Sequence, residues 1–96
     1  MMNEIRKYNV EFENSMGHRT LISDKNCTIH EAFSSILKFL NEHSYRSPYQ
    51  RLVFNIDPVY AMVDVGSHTE FFYINGLTET DYLLYLSSDQ FRKEHL

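Results

Sequence analysis

Between residues 29 and 40, Ile29, Ala32, Phe33, Ile36, Leu37 and Leu40 recur at the three-and-four spacing of one helix face, and Phe39 widens that face. A stripe so wide has to be buried against a broad apolar surface. Thr28 and Glu31 precede it in the S/T-x-x-E pattern of a capping box, which satisfies two orphan amide donors at a helix start. The spacing therefore predicts a helix over Thr28–Glu42. Pro48 forbids helical geometry at Ser47 and ends any continuation.

Period-two alternation lies on both sides of this helix. Before it, Tyr8, Val10 and Phe12 alternate with Lys7, Asn9, Glu11 and Glu13, which predicts a strand over about residues 5–13. Asn14-Ser15-Met16-Gly17 reads as a turn, with Gly17 suited to positive φ, and a short strand over 18–23 completes a hairpin. After the helix, residues 51–56, 59–65 and 69–74 alternate likewise. The signals Asp57-Pro58, Gly66-Ser67-His68 and Asn75-Gly76 punctuate them, as in an antiparallel meander. Nearly every strand position from 59 to 74 is apolar on both faces, so this sheet is either covered on both sides or presents a face to a partner. The C-terminal helix could supply the second cover.

Thr78-Glu79-Thr80-Asp81 resembles a second cap and predicts a helix over 78–93, with Leu83, Leu84, Ser87 and Phe91 on one face. The alternative is a sixth strand over Tyr82–Leu86 followed by a short helix. The expected architecture is one α+β domain over residues 1–96. It has two layers in the order β-β-α-β-β-β-α, with a mostly antiparallel sheet and helix 28–42 on one face. A chain of 96 residues holds one core and no more.

Charge narrows the partners. Residues 1–48 carry six basic and six acidic side chains, whereas residues 49–96 carry three against seven. No Lys or Arg stands between Arg51 and Arg92, while Asp57, Asp64, Glu70, Glu79, Asp81 and Asp89 do. A duplex-DNA binder shows a basic patch or stripe, so duplex DNA is not the expected partner. A protein with a basic or neutral surface suits this half better. The single cysteine, Cys27, excludes an internal disulfide and fits a reducing compartment. The N-terminus has no apolar stretch of the signal-peptide kind. The longest apolar runs are five residues, against about 20 for a membrane span. A soluble, cytoplasmic protein is expected.

No motif assigns chemistry. The sequence has no Walker loop, G-x-G-x-x-G, G-x-S-x-G or C-x-x-C. His30-Glu31 lacks the second His of a zincin helix, and the five His show no ligand spacing. Neither a metal, a cofactor nor a catalytic set is expected. Cys27, just before the helix cap, reads as a small packed residue rather than a nucleophile.

Three segments suit recognition. The loop around Tyr45, Arg46, Tyr49 and Arg51 interleaves the residue types that dominate hot spots, and the same pattern can stack on single-stranded nucleic acid. The outer face of the meander carries Tyr60, Met62 and Asp64, with either Phe71 and Tyr73 or Glu70 and Phe72. Third is the hairpin tip 16–19. Glu79 and Asp81 on the second helix would steer a basic partner. The reading that follows is a small regulator or inhibitor, of the kind common among phages and mobile elements, that docks on a partner protein and is not an enzyme. The alternatives are a nucleic-acid-associated module using loop 43–51, and a small-ligand-binding or catalytic homodimer.

Overall fold

A computed structural model describes residues 5–43, 50–67 and 69–88. The order is β1 (Asn9–Glu13), β2 (Arg19–Leu21), α1 (Ile29–Glu42), β3 (Arg51–Ile56), β4 (Val59–Asp64), β5 (Phe71–Asn75) and α2 (Glu79–Leu86). The strands form one antiparallel sheet in the order β2-β1-β5-β4-β3. The α+β class and the element order are as the alternation predicts. The strand ends are shorter than expected: Tyr8 pairs with Cys27 only as an isolated bridge. His68, part of the expected second turn, lies outside the described residues.

The capping box is formed. Thr28 Oγ1 accepts from the Glu31 amide at 3.1 Å, and Glu31 Oε1 accepts from the Thr28 amide at 2.8 Å. That backbone hydrogen bond, with the Arg6 guanidinium at 2.8 Å, holds the Glu31 carboxyl below the usual carboxylate range. α1 then lays Ala32, Ile36 and Leu40 onto Val10, Phe72, Ile74, Ala61 and Val63 of the sheet. Phe39 packs on Phe12 and Phe72, with ring centroids 4.4 and 5.3 Å away. Leu37, expected in the stripe, is 46% exposed. It sits at the flank opposite Phe39, beyond the reach of the sheet.

α2 lies on the same side of the sheet as α1, not across the second face. Its Tyr82 ring packs on Phe33 and Phe54, and Tyr85 stacks on Phe33. The expected apolar face of α2 is therefore corrected: Leu83 and Leu84 are exposed, whereas Asp81, Tyr82 and Tyr85 turn inward. Two tyrosines win the inward positions because they reach the aromatic ridge of Phe33 and Phe54. The helix ends at Leu86 with Ser87 as its C-cap, and the remainder of the expected span, 89–93, lies outside the described residues. Cys27 is buried between hairpin and helix, and burial pushes its thiol up from the ordinary value. That suits packing rather than nucleophilicity.

Candidate functional site

Since both helices share one face, strand parity settles what the other face carries. Phe72 and Ile74 point to the core, so Phe71, Tyr73 and Asn75 point away from it. The register places Glu11 beside Tyr73 on one flank and Met62 beside it on the other. It continues outward to Leu21 and Arg19 on β2, and to Tyr60, Val53 and Arg51 on β4 and β3. The uncertainty over the meander's outer face thus resolves to Phe71 and Tyr73.

Tyr73 is the centre of this surface, and at 7% exposure it is nearly covered by its own neighbours. The Arg19 guanidinium carbon lies 3.8 Å from its ring centroid, and Tyr60 meets it edge-on at 5.6 Å. Its phenol donates to Glu13 Oε1 at 2.8 Å. Burial, and then that carboxylate, push the phenol up from its usual pKa. Arg19 Nε also lies 3.6 Å from Glu13 Oε2, which orients the guanidinium over the ring. Asn75 donates to both Asn9 and Glu11, at 2.8 and 2.9 Å. Arg51 lies 3.7 Å from Asp64 near the far edge. The result is a flat aromatic and thioether centre with Val53 exposed beside it and paired charges along its margins.

The expected site residues fall into separate places. Tyr60, Tyr73 and Arg51 share this open face. Tyr45, Arg46 and Tyr49 lie outside the described residues. Glu79 is exposed in the first turn of α2. Asp81 is half-buried and accepts from Tyr8 at 2.9 Å, with Lys7 Nζ at 3.1 Å, so its carboxylate is tied into the fold. Of the residues around Tyr73, the sequence points to Arg19 only as the end of the hairpin tip 16–19, and to Glu11, Glu13 and Val53 as site residues not at all. The β1–β5 pairing puts Arg19, Glu11 and Glu13 beside Tyr73, the meander puts Val53 there, and no local pattern announces the first of these.

Arg19 and Arg51 sit on opposite edge strands, four strand spacings or about 19 Å apart. Arg6 and Lys7 are likewise paired, with Asp24 and Glu31 and with Asp81. Among the described residues no three His, Cys, Asp or Glu side chains gather as a metal site. No helix among them is long and apolar enough to cross a membrane. Compared with known proteins, the chain matches no family model, no curated protein and no solved structure.

Proposed function

We propose that this protein is a small regulator or inhibitor that acts by docking on another protein through the open face of its sheet. The observation that carries this reading is the placement of both helices on one side. Among the described residues it leaves a five-stranded face centred on Tyr60, Met62, Phe71 and Tyr73 with no layer over it. Tyr, Met, Phe and Arg are the residue types enriched in interface cores, and the charged margin matches a polar rim. Tyr73 is held in place by Arg19, Glu13 and Tyr60, so little side-chain freedom remains to be lost when a partner binds. The margin carries Glu11, Glu13 and Asp64 against Arg19 and Arg51, a negative balance that favours a partner with a basic or neutral surface.

The test is site-specific photocrosslinking in the native host. A photoreactive residue at position 60 reports on the open face, and one at exposed Ser34 reports on the outer side of α1. A discrete adduct from position 60 alone, lost in Met62→Lys protein that remains folded, is the expected result. The same adducts from both positions, or binding unchanged by Met62→Lys and Tyr60→Ala, would remove the open face as the docking surface.

A further inference from the structure

The two edges of the sheet are unequal. β2 is three residues long and carries Arg19, a short and charged edge of the kind that resists strand addition. β3 runs for six residues, RLVFNI, with its one charge at the first position. The Val59 carbonyl accepts from the Gly76 amide at 2.9 Å, so the Val59 backbone faces β5. Antiparallel alternation then turns residues 60, 62 and 64 toward β3, and residues 51, 53 and 55 of β3 toward β4. The N–H and C=O groups of Leu52, Phe54 and Ile56 consequently point outward from the sheet. An open groove of about 550 Å³ runs along this edge, lined by residues 52–56, Val59 and residues 78–80 at the start of α2. Ile56 beside it is 85% exposed. Leu83, also exposed, stands one helical turn beyond Glu79 on the flank of α2 that lines the groove.

We propose that β3 pairs antiparallel with β3 of a second copy of this chain, joining two sheets into one of ten strands. The self-complementarity of the edge selects the occupant. A two-fold axis perpendicular to the sheet must pair residues of equal parity, because directly opposed side chains share a face. Centred on Phe54, that axis uses every outward backbone group of β3. Phe54 meets its own equivalent, and Leu52 meets Ile56 of the second copy, in both directions. The same register brings Arg51 opposite Asp57 of the second copy, again twice. Both residues are exposed, opposite in charge, and placed at the two ends of the edge. Ile56, the most exposed large apolar side chain among the described residues, gains an apolar neighbour, and each end of the seam gains an ion pair. Both helix layers remain on one side, with Leu83 of each copy flanking the seam. This interface is separate from the open-face docking surface, which a dimer would present in duplicate.

Sedimentation velocity of the full chain over a broad concentration range tests the proposal. A reversible monomer–dimer equilibrium is expected. Ile56→Lys places a charge opposite Leu52 without disturbing the monomer core, and should weaken the dimer at least about tenfold with an unchanged melting curve for the monomer. Asp57→Lys should weaken it as well, and Arg51→Glu combined with Asp57→Lys should restore it. A chain that stays monomeric throughout overturns the proposal. So does a dimer that is indifferent to Ile56→Lys and to the charge exchange. A dimer abolished by Tyr60→Ala instead would mean that copies meet through the open face.

Discussion

The Tyr8 phenol donates a 2.9 Å hydrogen bond to Asp81 Oδ2, joining the two ends of the described chain across 73 residues of sequence. Lys7 Nζ lies 3.1 Å from the same oxygen. Burial, and then the bond to Asp81, push the phenol well above its ordinary pKa. Burial alone would raise the Asp81 carboxyl too. The hydrogen bonds from Tyr8 and Lys7 and the charge of Lys7 outweigh it, so that carboxyl is held below its ordinary value. Both shifts describe one interaction, a neutral phenol donating to an ionised carboxylate, which ties the first turn of α2 to the residues just before β1. Tyr8→Phe is predicted to cost about 1–2 kcal/mol, the usual range for losing a hydrogen bond to a charged group at a part-buried site. Urea unfolding monitored by circular dichroism measures it; a variant as stable as wild type would mean that Lys7 alone holds Asp81.

The same pair sets a pH dependence. Asp81 and Glu31 both have folded pKa values below their unfolded ones. Their contribution is complete above the unfolded carboxylate value, about pH 4, and is lost as pH falls through the folded pKa. Tyr8 and Tyr73 are raised, so their contribution is complete below the unfolded value, about pH 10, and is lost as pH climbs beyond it. Melting temperature should form a plateau between these limits. Asp81→Asn should lower the plateau and make the acid limb shallower. An acid limb of unchanged slope in that variant would show that other carboxylates control acid unfolding.

Phe33 and Leu37 carry equal weight in the helical periodicity but not in the structure. Phe33 stacks on Tyr85 and packs on Tyr82, whereas Leu37 is nearly half exposed. Phe33→Ala is expected to cost about 3 kcal/mol and Leu37→Ala less than about 1 kcal/mol. Denaturant midpoints of the two variants decide it, and equal losses would place Leu37 in the core.

Thr28→Ala removes the acceptor for the Glu31 amide and should cost about 1 kcal/mol. Glu31→Gln keeps a group able to accept from the Thr28 amide and should cost less. Differential scanning calorimetry of the two variants gives the order; the reverse order would put the weight of the cap on the Arg6–Glu31 contact.

Duplex DNA should not bind at micromolar concentration even at low salt. Phosphate neutralisation needs clustered cations, and Arg19 and Arg51 stand at opposite edges of the sheet, each beside a carboxylate. Fluorescence anisotropy is the assay, and tight binding with a steep salt slope would reverse this conclusion.

The elements that obey local rules were legible in the sequence. The α1 start is set by Thr28 and Glu31, three residues apart, and each hairpin by turn residues beside alternating strands. The α2 start was legible too, since Thr78 accepts from the Asp81 amide at 3.0 Å. The Asp81 carboxylate is also claimed by Tyr8 and Lys7, from a distant part of the chain. The inward face of α2 was misread for a related reason. Leu83 and Leu84 are the more apolar residues, but only the tertiary position of Phe33 and Phe54 decides which side of α2 finds company. The open face was half legible: Tyr60 and Tyr73 were identified from alternation, while Arg19 and Glu13 join them only through the pairing of β1 with β5.

The sheet order has a consequence for the growing chain. α1 carries the polypeptide from β2 at one edge to β3 at the other, so the first hairpin and the meander begin as two separate sheets. They fuse only when β5 enters between β1 and β4, with Asn9 facing Asn75 in the completed register. During translation the N-terminal hairpin and α1 emerge well before the strand that completes their surroundings. Until residue 75 clears the ribosome, the apolar stripe of α1 has only two strands beside it from its own side of the chain. A stalled chain ending before Phe71 therefore exposes both Val10 and Val63 to whatever chaperone or neighbouring nascent chain is at hand.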